Sequence, residues 1–272
     1  MKDIKLIMVD LDETVLENEK NISNKTKESI EKLLDLGIEV VWTTGRYYDA
    51  IPKYFIDNPR INYVAASNGA MILDLNTKEV IFSENLNNQT TLAVIDIVNK
   101  EAKHLFVISD FEAIIDQRMF EDKGVVDKAF FTTLKSHAKV VDDIYEYIKT
   151  NNVEAQKIEM AFDDDKTLKR LYKKVSLLND LELTSSHSNN FEVHSEKTSK
   201  GHALMFLKEK LNLNKSEIMA IGDNMNDISM LEVAGLAVAM NNANSKVKEH
   251  ADFITDSVAN DGFSKVVNKY FK

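Results

Sequence analysis

Two short apolar runs that each end in carboxylates constrain this chain more than any other feature. Residues 4–9 run into Asp10-Leu11-Asp12-Glu13-Thr14. More than two hundred residues later, residues 218–221 run into Gly222-Asp223-Asn224-Met225-Asn226-Asp227. Apolar runs this short, closed by turn residues, read as buried strands. In a parallel sheet the carboxyl ends of the strands share one edge, and the crevice there is where open α/β folds bind ligands. Two acidic strand ends side by side would crowd negative charge into one place, which is costly when unpaired. A hard divalent cation, Mg²⁺ above all, would neutralise it.

The rest of the chain supports that architecture. Residues 24–36 read as a helix with Ile30, Leu33 and Leu34 on one face, Ser23 or Asn24 as N-cap and Gly37 as the stop. A second strand over 39–43 leads into Thr44-Gly45-Arg46. A helical stretch over 47–55 is kinked or delayed by Pro52, and a third strand over 63–66 leads into Ser67-Asn68-Gly69-Ala70 and a hairpin of 71–74 and 80–82. The last third repeats the pattern, with helices over 200–211, 226–233, 245–250 and 261–271 and strands over 218–221 and 236–240. This βαβα order predicts a doubly wound parallel sheet with helices on both faces.

The middle has another texture. Strand-like pieces at 105–109, 113–116, 154–161 and 183–186 mix with helical stretches near 90–103, 142–150 and 166–178, and no nucleotide or metal motif occurs there. We read it as an inserted α+β domain over residues 84–189. The flanking parts, 1–83 and 190–272, would be two halves of one sheet.

Bulk properties exclude several classes. A formal net charge of -10 without a basic stripe argues against nucleic-acid binding. It leaves room for an anionic substrate, because a bound cation reverses the local field. The absence of cysteine removes disulfides, thiolate metal sites and cysteine nucleophiles, and fits a cytoplasmic protein. No signal-peptide core opens the chain, and no apolar run approaches the roughly 20 residues of a membrane span.

The chemistry lies in the acidic clusters and three supporting positions. Side chains two apart in extended backbone point the same way, so Asp10 and Asp12 can share a site while Leu11 turns into the core. One carboxylate can serve as nucleophile or ligand while the other shuttles a proton, and a carboxylate attacking phosphorus gives an aspartyl-phosphate. The alternative is that these acids only end a strand, with Asp12 or Thr14 capping a loop. Thr44 offers a hydroxyl and Gly45 an approachable backbone N–H, together an anion-binding corner. Taken alone, Thr44-Gly45-Arg46 also reads as a turn with a surface arginine. Lys200 opens a helix and could offset charge on a phosphate or on the attacking carboxylate. Asp223, closest to its strand end, is the metal candidate. Asn226 could reach phosphate, and Asp227 could hold Lys200 or a metal-bound water.

Taken in order, D-x-D-x-T, T-T-G-R, a lysine in Ser199-Lys200-Gly201 and G-D-x-x-N-D resemble the haloacid dehalogenase superfamily of phosphotransferases. The inserted domain and the phrases Ser67–Ala70 and Gly222–Leu231 resemble its Cof-type phosphatase subgroup. The resemblance implies a Rossmann-like core with an inserted α+β cap that covers the site and selects the substrate. It implies Asp10 as nucleophile and Mg²⁺ ligand, and Asp12 as acid/base with its backbone carbonyl on the metal. Asp223 would be the metal carboxylate. Leu11 (through its N–H), Thr44, Gly45, Lys200 and Asn226 would bind phosphate, with Asp227 as acidic support. The expected activity is Mg²⁺-dependent hydrolysis of small phosphorylated metabolites, sugar phosphates first, by a monomer. A phosphotransferase such as a sugar phosphomutase, or a non-catalytic phosphate-binding module, would use the same site. Most relatives carry glycine where this chain has Glu13, so Glu13 adds charge near the metal and alters the segment that follows.

Other patterns are weaker. Six histidines form no H-x-x-x-H pair, no P-loop occurs, and Asp163-Asp164-Asp165 reads as a helix N-terminus rather than a calcium loop. Trp42, in the second strand, is expected in the core.

Overall fold

The computed structural model describes residues 3–18, 21–120, 138–185 and 188–271. The strands in chain order are β1 (Leu6–Asp10), β2 (Glu39–Thr43), β3 (Tyr63–Ala66), β4 (Met71–Asp74), β5 (Glu79–Ser83), β6 (His104–Ser109), β7 (Glu112–Asp116), β8 (Ala138–Val141), β9 (Lys157–Ala161), β10 (Leu181–Thr184), β11 (Asn190–Ser195), β12 (Ile218–Gly222), β13 (Leu236–Ala239) and β14 (Phe253–Ile254). The chain divides into two compact units. One comprises Met1–Arg46, Pro52–Phe82 and Ser199–Lys272; the other comprises Tyr47–Ile51 and Ser83–Thr198.

The first unit holds an eight-stranded sheet in the order β14-β13-β12-β1-β2-β3-β4-β5. Pairing is parallel from β14 through β3 and turns antiparallel at β3–β4. Sequence order runs outward from β1 in both directions, so the crevice of the switch point lies between β1 and β12. All five residues of β1 are buried, as befits a strand covered on both faces. Leu6 and Met8 pack with Ala203, Leu204 and Leu207 of the helix Lys200–Lys210 and with Met230 and Leu231 of the helix Ile228–Val233. Alternation sends Ile7 and Val9 to the opposite face. The helix Asn24–Asp35 starts on Ser23, whose side chain accepts from the Thr26 N–H, and stops at Gly37, whose φ of 71° favours glycine. Trp42 is buried in β2 edge-to-face with Phe55, ring centroids 4.9 Å apart.

The single helical stretch expected over 47–55 is broken. A 3₁₀ turn covers Tyr48–Ala50 and a four-residue helix covers Lys53–Ile56. Pro52 disfavours helical backbone at the residue before it, and Ile51 is extended at φ -76°, ψ 128°.

The second unit is α+β. Its six-stranded sheet has the order β10-β11-β9-β6-β7-β8 and pairs antiparallel except at β7–β8. The helices Asn88–Val98, Ile144–Thr150 and Asp165–Val175 contribute Val94, Ile95, Val98, Ile144, Ile148, Leu171 and Val175 to its core. This unit reaches beyond the 84–189 expected from sequence, because β11 pairs with β9 and β10. Asp164 caps the helix Asp165–Val175 by accepting from the Thr167 N–H, in keeping with the acidic triplet as a helix start. Of the strand expected over 183–186, Ser186 lies outside the described residues, as do His137 and His187. No helix among the described residues is long and apolar enough to cross a membrane.

Candidate active site

The parallel register of β1 and β12 aligns Val9 with Ile221. Asp10 therefore ends its strand beside Gly222, one residue before Asp223. A turn later Asp227 folds back on the same strand end: its Oδ2 accepts from the N–H groups of Asp223 and Asn224, each at 2.8 Å. Gly222 makes room for this, because a Cβ there would overlap the Asp227 carboxyl. One carboxylate oxygen from each of Asp10, Asp223 and Asp227 lies within 4.8 Å of the others. Among the described residues no other group of His, Cys, Asp and Glu converges in this way.

Lys200 enters this cluster from the side. Its ammonium donates to Asp10 Oδ1 at 2.5 Å and to Asp227 Oδ1 at 2.6 Å, and the residue is fully buried. The helix it opens is capped by Ser199, whose Oγ accepts from the His202 N–H. Gly201 seats that helix: its N–H donates to Ser229 Oγ, and a Cβ there would stand 2.5 Å from the Ser229 carbonyl oxygen. Close backbone contact, possible only at glycine, thus drives Lys200 into the carboxylates.

The charges do not balance. Three carboxylates meet one ammonium, an excess of two negative charges. Burial pushes the Asp10 carboxyl well above its ordinary range; Lys200 opposes this, while Asp227 and Asp223 add to it. Asp223 is pushed up to about 7 by burial first and Asp227 second, against the Thr14 hydrogen bond and Lys200. Burial alone would lower the lysine's pKa, but the two carboxylates outweigh it and keep Lys200 charged. The mismatch therefore falls on the acids. An all-oxygen donor set with two surplus charges is suited to a hard dication. This buried cluster could hold one.

The other expected residues take distinct places. Asp12 lies outside the carboxylate cluster. Arg46 grips it in a fork, Nε to Oδ2 at 2.9 Å and Nη2 to Oδ1 at 2.6 Å. Arg46, which sequence alone leaves as a surface residue, is instead the partner of an acid at this edge. Leu11 is fully buried, and its carbonyl accepts from the N–H groups of Val15 and Leu16. Thr44 is buried, and its Oγ1 accepts from the Arg46 N–H at 3.1 Å. Gly45 faces Asn68, whose Oδ1 would lie 3.1 Å from an added Cβ. Asn226 donates through Nδ2 to Asn68 Oδ1 at 2.8 Å. Asn68 holds a left-handed φ of 58°, a conformation that asparagine tolerates better than most residues.

Three residues escaped sequence reasoning. Asn68 ties the Thr44 corner to the second acidic loop. Thr14 donates its hydroxyl to Asp223 Oδ1 at 3.0 Å across the switch point. Asn242 donates to the Glu13 carbonyl at 2.8 Å and to Asp223 Oδ2 at 3.4 Å. Thr14 carried a signal as the last letter of D-x-D-x-T and Asn68 as part of Ser67-Asn68-Gly69-Ala70, though neither was assigned a role; Asn242 carried none. Glu13 has φ 58°, which explains why glycine suits this position. Its Oε1 accepts from the Asn18 N–H at 3.0 Å, so the carboxylate closes its own loop.

Residues 7–267 match the haloacid dehalogenase-like hydrolases, and the chain belongs to that family, in agreement with its Cof-type motifs. It is 29% identical over 271 residues to a 5-amino-6-(5-phospho-D-ribitylamino)uracil phosphatase of Bacillus subtilis, covering 98% of this chain and 96% of that one. It is 26% identical over 281 residues to a pyridoxal phosphate phosphatase of Escherichia coli, covering 97% and 99%. A haloacid dehalogenase-like hydrolase structure from Bacillus subtilis superposes with a TM-score of 0.81 at 26% identity over 99% of this chain and 100% of that one. Family and relatives together make the chain a phosphatase.

Proposed function

We propose that this protein is a Mg²⁺-dependent phosphomonoester hydrolase that works through an aspartyl-phosphate on Asp10. The observation behind this reading is the convergence of Asp10, Asp223 and Asp227 around Lys200 at the switch point. Asp10 and Asp223, with the backbone carbonyl of Asp12, would hold Mg²⁺. The ion, when bound, offsets the charge of the phosphate and of the carboxylates.

An oxygen of Asp10 attacks phosphorus as the ester P–O bond breaks, and Asp12 gives its proton to the departing alkoxide. Asp12, now a carboxylate, takes a proton from water. The water oxygen then attacks phosphorus, and the Asp10 carboxylate leaves with its charge restored. Lys200 and Thr44, helped by the N–H groups of Leu11 and Gly45 and by Asn226, hold the phosphate oxygens. Asp227 keeps Lys200 in place. The core comprises the first compact unit; the second supplies the residues that choose the leaving group. Small phosphorylated metabolites are the substrate class, since relatives are named for dephosphorylating a ribityl phosphate and pyridoxal phosphate. Within that class sugar phosphates come first, acted on by a cytoplasmic monomer.

The test is hydrolysis of p-nitrophenyl phosphate by wild type and Asp10→Asn, with Mg²⁺ and with EDTA. Turnover is expected only for wild type with Mg²⁺. An Asp10→Asn enzyme with the wild-type rate would overturn the assignment, and a panel of phosphate esters would then rank substrates for the active protein.

A further inference from the structure

We propose that Asn242 is a positioning residue for the metal site, setting the orientation of the Asp223 carboxylate and the height of the loop that leaves β1. This rests on the reading of Asp223 as a ligand to a divalent cation. Asn242 lies in the turn after β13. That turn is fixed to the second acidic loop's own strand, because the Met240 N–H donates to the Gly222 carbonyl at 3.0 Å. Ala243, buried, donates its N–H to the Met240 carbonyl and closes the turn. From this base the Asn242 side chain reaches three separate segments. Its Nδ2 donates to the Glu13 carbonyl at 2.8 Å and to Asp223 Oδ2 at 3.4 Å, and its Oδ1 accepts from the Val258 N–H at 3.0 Å.

The consequence for Asp223 follows from counting its bonds. Oδ1 is held by the Thr14 hydroxyl and Oδ2 by Asn242, while the residue's own N–H is held by Asp227. With a donor on each oxygen the carboxylate plane cannot rotate freely, and its remaining lone pairs keep one direction. Such outer partners of a ligand restrict its orientation before the ion arrives. The bond to the Glu13 carbonyl fixes the residue next to Asp12, so this side chain adds a second tie, beside the Thr14 hydroxyl, between the two acidic loops. Asn242 is exposed and fills no part of the core, so its removal leaves the packing of the sheet and helices untouched.

The experiment measures binding directly. Metal-free wild type, Asn242→Ala and, as a control, Asn241→Ala are titrated with Mn²⁺ by electron paramagnetic resonance and with Mg²⁺ by calorimetry. Urea unfolding of each is followed in EDTA. Asn242→Ala is expected to bind both ions about 10-fold more weakly, with the unfolding midpoint of the metal-free protein lowered only slightly, because the three hydrogen bonds lost are exposed. Its half-saturating Mg²⁺ concentration for p-nitrophenyl phosphate hydrolysis should rise in step, and Asn241→Ala should match wild type. Equal affinities for wild type and Asn242→Ala would overturn the proposal, as would a loss of affinity matched by a loss of stability in EDTA. If wild type itself bound neither ion, the metal reading of Asp223 would fall, and this inference with it.

Discussion

Replacing Lys200 by methionine isolates the charge imbalance at the switch point. Methionine keeps the length and much of the volume of the side chain but removes the ammonium between Asp10 and Asp227. Breaking a buried ion pair from one side costs about 3–5 kcal/mol, because the surviving charge is left desolvated. Here two carboxylates lose the same partner, and both are buried. The acids can escape part of the cost by taking up protons, which Asp10 is already inclined to do. The full penalty therefore belongs at pH 8 in EDTA and should shrink towards pH 5. Mg²⁺ should stabilise Lys200→Met more than wild type, since an ion now meets three surplus charges instead of two. The chain carries a single tryptophan, Trp42, buried in β2 of the same unit. Its fluorescence during urea unfolding reports that unit selectively. Adding Asp227→Asn should recover part of the loss: the asparagine carbonyl can still accept the N–H groups of Asp223 and Asn224, while one of the stranded charges is gone. A Lys200→Met protein as stable as wild type in EDTA at pH 8, or stabilised by Mg²⁺ to the same extent, would refute the electrostatic reasoning.

Three further outcomes can be checked with the same protein. Asp223 has a folded pKa of about 7 against an ordinary 3.8, so the native state holds the extra proton between those values. Metal-free wild type should therefore lose stability as pH rises through that window, and saturating Mg²⁺ should abolish or reverse the trend; Trp42-monitored urea unfolding at a series of pH values measures it. Glu13→Gly relieves a left-handed residue, worth about 1 kcal/mol, but gives up the bond to the Asn18 N–H, so stability should change little. Mn²⁺ affinity, read by electron paramagnetic resonance, should fall modestly, because the Glu13 carboxylate, although it accepts from the Asn18 N–H, adds to the negative field at Asp223. Gly222→Ala places a methyl against the Asp227 carboxyl and must displace it from Lys200; a fall in kcat of about 10²-fold follows from misplacement on the order of 1 Å, read in steady-state hydrolysis of p-nitrophenyl phosphate.

What the sequence disclosed follows from which interactions are local. The strand runs, the Ser23 cap and the Gly37 stop depend on neighbouring residues and were legible in kind, whereas Pro52 signalled only a kink or delay where the helical stretch breaks in two. The switch point was legible too, because two acidic strand ends in one parallel sheet leave few arrangements. β11 was not. Asn190-Phe191-Glu192-Val193-His194-Ser195 alternates, but its polar members are buried. Phe191 and Val193 join the core, while Glu192 pairs with Lys157 at 3.4 Å beside Glu159. A polar set that looks solvated in sequence is thus satisfied by another strand of the sheet. The same limit hid Asn242, the bond from Asn226 to Asn68 and the fork of Arg46 on Asp12. Each depends on a partner far along the chain, and periodicity gives the side on which a residue stands but not what stands opposite.

That distinction bears on how Asp10 and Asp12 can divide the work. The two share a residue type, a strand end and a direction, so alternation alone makes them equivalent. Their partners separate them. Asp10 is sealed among Lys200, Asp223 and Asp227, in a place where an ionised oxygen is sustained only by neighbouring cations. Asp12 stands in a more open place, its side chain 33% exposed, and the guanidinium across both its oxygens must release one of them before the acid can pass a proton to a substrate. A group that must exchange protons with a departing alcohol and then with water needs such access, whereas a nucleophile needs a fixed position and little competing solvent. The difference between the two acids comes from Lys200 and Arg46, residues contributed by opposite ends of the chain to the same edge of the sheet.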